Sequence, residues 1–326
     1  MSSQLSLRAI TDARAALAGR LHETPLFSSS RTSERVGAEV FLKAELFQRT
    51  GSFKPRGAFV RLLQLTPAER KRGVIAASSG NHAQALAYCA RSLGIDCLAV
   101  MWQGASVQKI AAVRAYGAHV DLEAENGLEA LFRAEELAHG TGRIPVPAYD
   151  DDAVMAGQGT LGLEILDQVS SLDAVLVPVS GGGLLAGVAT AVKARSPKTR
   201  VIAVEPSASP ALARALAAGN PVETPQDSVA DSLAAPHIGE RCLRVIEQLV
   251  DDVVGVSDDE IVAATQWLYN AAKLACEPAG AATTAALLSG RSSLRPDGIA
   301  VAVVSGGNVD PPVLQRLLLT AAPGRT

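Results

Sequence analysis

Aromatic side chains are scarce in this chain. Phenylalanine, tryptophan and tyrosine together make 4% of its 326 residues, too few for the stacked platforms that single-stranded nucleic acid needs. Excess charge is missing as well. The formal net charge is −3, which excludes a strongly basic nucleic-acid surface and a polybasic membrane surface. Cysteine is sparse: Cys89, Cys97, Cys242 and Cys276 lie far apart, with no C-x-x-C pair. A disulfide scaffold is therefore not expected, and a reducing cytoplasm is the expected home. The opening stretch, MSSQLSLRAITDARAALAGR, has no long apolar region, so no secretory signal is expected. One run comes near the length of a membrane span: Ala174 to Val192 is nineteen residues without a charge. It holds Pro178, Gly181, Gly182, Gly183 and Gly187, which is poor helix chemistry. A buried strand, a glycine turn and a buried helix explain it better.

What is present is an ordinary globular composition, 48% apolar and 19% charged, at a length that suits about two domains. Short apolar strands alternate with helical patterns. Val74–Ser78 precedes AQALAYCARSLG, Cys97–Met101 precedes VQKIAAVRAYGA, and HVDL precedes GLEALFRAEELAHG. A second series follows, with Ala174–Ser180, RVIAVE and Gly298–Ser305 as strands and a helix reading over DDEIVAATQWLYNAAKLAC. This alternation predicts an α/β fold with parallel sheets covered on both faces. Asp150-Asp151-Asp152 separates the two series, as a solvated loop or helix cap and a plausible domain crossing. In such folds ligands sit beyond the carboxyl ends of strands, so the loops there carry the functional reading.

Four loops stand out. In Thr50–Ala58, Pro55 suits the first position of a helix and biases Lys54 away from helical geometry, with Ser52 a candidate cap. Lys54 reads either as an exposed lysine or as an amine whose pKa is lowered by burial and the helix end, able to form a Schiff base. Ser78-Ser79-Gly80-Asn81-His82 is a strand-to-helix turn suited to an anion; the plain alternative is capping by Ser or Asn, with His82 a packing residue. Ser180-Gly181-Gly182-Gly183-Leu184 lets the backbone approach a phosphate at a helix N-terminus. The spacing Gly181-x-Gly183-x-x-Ala186, with Glu205 ending the next strand, also meets a loose dinucleotide fingerprint. Ser305-Gly306-Gly307-Asn308 places a hydroxyl at a strand end, or is simply a turn. A chemical lysine, a phosphate cradle and two hydroxyl-bearing strand ends together suit an aldehyde cofactor with a phosphate, and pyridoxal phosphate fits that description.

These segments, with YDDDAVMAGQGTLGLEI, VAVEPS and CEPAGA, run in order from about residue 24 to 310. On them the chain resembles the pyridoxal-phosphate-dependent fold type II enzymes, in the serine/threonine dehydratase and serine racemase branch. The resemblance demotes the dinucleotide reading. It implies two open, twisted, mostly parallel sheets with helices on both faces, a tryptophan synthase β-like arrangement. Residues 1–63 and 151–326 would form a large cofactor-binding domain, and 73–150 a small domain carrying the Ser-Ser-Gly-Asn-His loop. Lys54 would be the Schiff-base lysine, Phe53 would flank the cofactor ring, and Asn81 would bond its 3-oxygen. Ser180, Gly181, Gly182, Gly183 and Leu184 would bind the phosphate, Ser305 would face the ring nitrogen, and Glu277 would stand near the ring. Ser79, Gly80, Asn81 and His82 would bracket the substrate carboxylate, with Ser79 also catalytic.

The implied reaction is dehydration and deamination of a β-hydroxy amino acid such as L-threonine or L-serine to a 2-oxo acid and ammonia. Serine racemisation is the alternative, followed by the same elimination on 3-hydroxyaspartate or phenylserine, or a non-catalytic role. The implied partners are a small amino acid and a second copy of the chain, as a homodimer or higher homo-oligomer, with no nucleic acid or membrane. Three departures stand out. Metal-binding members have a second carboxylate after the Glu-Pro that here is Glu205-Pro206; Ser207–Ala211 has none, which leaves Glu205 a candidate ligand without a partner and a divalent metal doubtful. The usual Ala-Asp-Gly is Ala230-Asp231-Ser232, which suggests an altered pocket. An ungapped count puts the arginine of racemase-like members at Ala130. The chain ends soon after the last motif, so no appended regulatory domain is expected.

Overall fold

The computed structural model describes residues 5–320; residues 1–4 and 321–326, the outer ends of the expected large domain, lie outside it. Its strands are β1 (Leu26–Ser28), β2 (Glu39–Ala44), β3 (Val74–Ala77), β4 (Cys97–Trp102), β5 (His119–Ala124), β6 (Ile144–Pro145), β7 (Ala174–Pro178), β8 (Arg200–Pro206), β9 (Asp252–Val256) and β10 (Ile299–Val304). They form two sheets, ordered β1-β2-β10-β7-β8-β9 and β5-β4-β3-β6. β1 is antiparallel to β2, and every other pairing is parallel. The expected α/β architecture with helices on both sheet faces is therefore present.

Burial of both faces explains why the central strands read as unbroken apolar runs. Val175, Val177, Val201, Ala203, Val301 and Val303 pack into one core cluster with Leu185, Val188 and Val192. The alternate residues Ala174, Leu176, Ile202, Val204, Ala302 and Val304 pack into another, with Ala282, Ala285 and Ala286. The strand period of two sorts neighbours onto opposite faces. The uncharged run resolves as β7, a glycine turn and the helix Gly183–Arg195. Among the described residues, no helix is long and apolar enough to cross a membrane.

Several expectations change. β1, β2, β6 and β9 were not part of the strand rhythm; β2 carries a buried charge, Lys43, that breaks its apolar pattern. The helix read through Cys276 ends earlier. Asp258–Trp267 passes into a wider turn over Leu268–Ala272, and Lys273 stops it at φ +60°. Ala130 is fully buried against the four-stranded sheet, beside Ile75 and Val100. It faces core, so the ungapped count to it says nothing about a substrate arginine.

A buried cluster of four charges ties the pieces together. Arg56, on the helix Pro55–Leu63, bonds both oxygens of Glu45 at 2.8 and 2.9 Å and both oxygens of Glu164 at 2.6 and 2.9 Å. Lys43 joins Glu164 at 2.9 Å and the Thr24 carbonyl at 2.8 Å. Thr24 Oγ1 also donates to Glu45. Lys43, Glu45 and Arg56 are at most 1% exposed, and the two positive charges balance the two negative ones. Removing one partner of such a cluster strands the rest. Arg56→Met is expected to lower unfolding free energy by about 3–5 kcal/mol in urea titration; a loss under ~1 kcal/mol would contradict the clamp.

Candidate active site

Lys54 sits immediately before Pro55 at the start of its helix. Contrary to the pre-proline expectation, its backbone is helical, at φ −53° and ψ −35°. Its carbonyl accepts from Ala58 N–H at 3.2 Å, so the first turn draws it in despite the pre-proline clash. Ser52 does not cap this helix; its hydroxyl is buried with no hydrogen-bond partner. Lys54 Nζ donates to the Ala148 carbonyl at 3.0 Å and lies 5.2 Å from the Phe53 ring centre. The residue is partly exposed, yet surrounding protein strips water from the amine. That desolvation lowers its pKa from 10.5 to about 8, with Cys242 and Glu277 opposing it.

The fourth loop is bound to the first. Phe53 N–H donates to the Ser305 carbonyl at 3.2 Å, and Ser52 bridges Gly306. Ser305, at the end of β10, is 3% exposed, and its hydroxyl has only a long 3.5 Å contact with the Ala279 carbonyl. The second loop joins them through side chains. Asn81 Nδ2 donates to Glu277 Oε1 at 2.6 Å, and Asn308 Nδ2 donates to Asn81 Oδ1 at 2.6 Å and to the Thr50 carbonyl at 2.7 Å. An ideal Cβ at Gly306 would lie 2.4 Å from Glu277 Oε1 and 3.3 Å from Asn81 Nδ2, so only glycine lets these groups converge.

Two helix N-termini complete the site. The helix Asn81–Ser92 follows β3 through the half-buried Ser79 and through Gly80, which gives it no side-chain cap. The helix Gly183–Arg195 starts from Gly182, again with no side-chain cap. In each, the first N–H groups have no intrahelical partner and the dipole favours an anion. Gly182 sits at φ +99°, and a Cβ there would be 2.7 Å from Cys242 Cβ; at Gly181 it would be 2.2 Å from the Tyr149 ring. Tyr149 follows Ala148, so one short segment packs on the glycine loop and receives the Lys54 amine.

The His82 side chain takes the packing role that was one of its two readings. Its Nε2 is 2.9 Å from the Val146 carbonyl, and burial, with Lys54 nearby, lowers its pKa to about 4. The ring is neutral and turned to the backbone, leaving its N–H in the helix first turn for an anion. Glu205 lies elsewhere: its two oxygens accept from Leu212 and Ala213 N–H at 2.8 and 2.9 Å. It caps the helix Ala211–Ala218 from the preceding strand, a role with no need of a metal. Asp150 and Asp151 are caps as well. Asp150 accepts from Arg241 and Cys242 N–H, and Asp151 from Ala153 and Val154 N–H. Tyr149, the Ala148 carbonyl and Asn308 were given no site role from sequence; the only signals were their places in the YDDD segment and in Ser-Gly-Gly-Asn.

A family model described as pyridoxal-phosphate dependent enzyme matches residues 18–306. The chain belongs to that family. Among relatives of this pyridoxal-phosphate-dependent enzyme is the catabolic L-threonine dehydratase of Escherichia coli K12, 42% identical over 303 residues and 92% of each chain. Among solved structures, maize serine racemase matches at TM-score 0.91 and 36% identity, over 95% of this chain and 96% of its own. Threonine deaminase isoform 2 of Solanum lycopersicum matches at TM-score 0.92 and 34% identity, over 98% and 96%.

The residues present fit the cofactor. The under-bonded Ser305 hydroxyl, the unpartnered Ser52 hydroxyl, the uncapped glycine-loop helix and a desolvated lysine amine lie on loops joined to one another. The Lys54 amine has a stability signature. Below pH 8 the folded state carries the burden of a desolvated ammonium. Between pH 8 and 10.5 the folded state sheds that proton before the unfolded state does, so the burden fades. Cofactor-free Lys54→Met is expected to gain stability over the parent at pH 7, with the gap narrowing toward pH 10.5 in urea titrations. A constant or widening gap would contradict the lowered pKa.

Proposed function

We propose that the chain catalyses dehydration and deamination of a β-hydroxy amino acid, L-threonine or L-serine, to a 2-oxo acid and ammonia. The observation that carries it is the placement of one desolvated amine, Lys54, on loops joined to two uncapped helix N-termini and a neutral strand-end hydroxyl. The name of the Escherichia coli relative supports the reaction. When bound, pyridoxal phosphate supplies an electron-accepting ring that spreads the negative charge left at Cα.

The chain's own groups then have distinct tasks. Backbone N–H groups from Ser180 through Leu184 would hold the phosphate. Phe53 would flank the ring, and Asn81 keeps a second amide hydrogen that would reach the ring oxygen. The Ser79–His82 turn presents N–H groups to the substrate carboxylate. Lys54 would hold the cofactor aldehyde, and its free amine would take the Cα proton; an amine with a pKa of about 8 exchanges that proton near neutral pH. The β-hydroxyl leaves with a proton as water, and hydrolysis releases ammonia. Ser305 is neutral, so it would hold the ring nitrogen less protonated than a carboxylate would, which suits elimination. Residues 73–150 act as the small domain that covers this cleft, and 1–63 with 151–326 as the large one. The four thiols, all free and buried, suit a cytoplasmic protein. The proposed assembly is a homodimer, on the family resemblance.

Serine racemisation is the second reading, supported by the match to maize serine racemase. On this reading Ser79 would lie across the substrate from Lys54 and reprotonate Cα. The test supplies pyridoxal phosphate with L-serine, L-threonine, D-serine, 3-hydroxyaspartate or phenylserine, and measures oxo acid and product chirality together. Oxo acid is expected from L-threonine or L-serine. Inverted amino acid with little oxo acid would replace the lyase by a racemase, and no product across the panel would contradict both. Ser79→Ala should lower turnover at least tenfold while cofactor binding changes less, since a group acting at the reacting centre is worth about 1.4 kcal/mol per tenfold; an unchanged rate would remove Ser79 from the mechanism.

A further inference from the structure

Ser232 stands where the resembling family carries glycine, and its side chain is in use. Its hydroxyl reaches Glu277 Oε2 at 3.4 Å and Asp231 Oδ1 at 3.2 Å. Asp231 is fixed in turn: Oδ1 accepts the Ser232 N–H at 2.7 Å, and Oδ2 pairs with Lys109 Nζ at 3.2 Å. Lys109 comes from the helix Val107–Ala115, next to the four-stranded sheet, whereas Asp231 and Ser232 belong to the chain between β8 and β9 of the larger sheet. Glu277 is thus held at Oε1 by Asn81 at 2.6 Å and met at Oε2 by the longer Ser232 contact, and it is 2% exposed.

A hydroxyl can donate one hydrogen and accept another. With Glu277 ionised, Ser232 donates to it. With Glu277 protonated, the carboxyl donates to Ser232, which donates to Asp231, whose charge Lys109 balances. We propose that Ser232, backed by the Asp231–Lys109 ion pair, is a positioning residue that lets Glu277 gain or lose a proton without leaving its seat. Glycine at this position offers no such rotor. Holding Glu277 still also holds Asn81, the first residue of the helix whose N–H groups face the substrate carboxylate.

The electrostatics agree with this arrangement. Burial raises the Glu277 pKa to about 7, Asp231 pushes the same way, and Lys109, Asn81 and Ser232 oppose. Lys54 and the Cys276 thiol are the other titratable groups that feel Glu277. Both charge states are therefore available near neutral pH. The proposal rests on Glu277 belonging to the cofactor site, but its test needs no turnover.

Cofactor-free protein carrying 13C at glutamate carboxyls is titrated by NMR, with Glu277 assigned by its loss in Glu277→Gln. The parent midpoint is expected near pH 7. Ser232→Ala should raise it by about half a unit, since a neutral hydrogen bond to the carboxylate is lost. Ser232→Thr should restore the parent value. Lys109→Met should raise the midpoint, and Asp231→Asn should lower it, because the two charges act on Glu277 with opposite sign. Lys109, Asp231 and Ser232 are all at least partly exposed, so these variants spare the core. Unmoved midpoints, or shifts of Lys109→Met and Asp231→Asn in the same direction, would overturn the proposal, as would a failure of threonine to rescue.

Discussion

The site depends on the buried cluster of Lys43, Glu45, Arg56 and Glu164. Arg56 lies two residues after Lys54 and fixes the first turn of that helix. Lys43 lies on β2 and pairs in register with Val303 of β10, two residues before Ser305. Glu164 lies on the helix Asp152–Gln168, which begins just beyond Ala148 and Tyr149. One set of ion pairs therefore sets the relative positions of the lysine, the strand-end hydroxyl and the segment that receives the lysine amine. Charges are costly to bury, and they persist here only because each has a close, bonded opposite.

Anchored in this way, the loops divide the electrostatic work. Two helix N-termini offer unpaired N–H groups and the positive ends of their dipoles. Between them the protein places an amine that desolvation brings toward neutrality, rather than a second fixed positive charge. Around Glu277 it places groups of both signs at short range, so that carboxyl can titrate near neutral pH while Asn81 stays seated. Glycines at 181, 182 and 306 permit this density, since a Cβ at any of them would collide with Tyr149, Cys242 or Glu277.

Much of this was legible in the sequence because each loop is a contiguous string at the end of a strand. β7, β8 and β10 are buried on both faces and therefore read as apolar runs, and their ends marked Ser180, Glu205 and Ser305. What stayed hidden depends on distance. Arg56 meets Glu164 across 108 positions, and Lys43 meets it across 121, so no local pattern announces the cluster. The same charge concealed β2 as a strand. Local rules failed where tertiary bonding outweighed them: Lys54 is helical before a proline, and Ser52 does not cap. Glu205 was placed correctly at its strand end, but its carboxylate caps a helix. The count to Ala130 reached a residue buried against the four-stranded sheet, because spacing along a chain does not say which face of a helix a residue occupies.

The central claim is that Lys54 is the one lysine that captures the cofactor aldehyde. The most direct measurement is borohydride reduction of the protein after pyridoxal phosphate is added, followed by peptide mapping of the fixed label. The account predicts one label per chain, on Lys54. A label on Lys43, Lys109 or another lysine, or no label on Lys54, would contradict it.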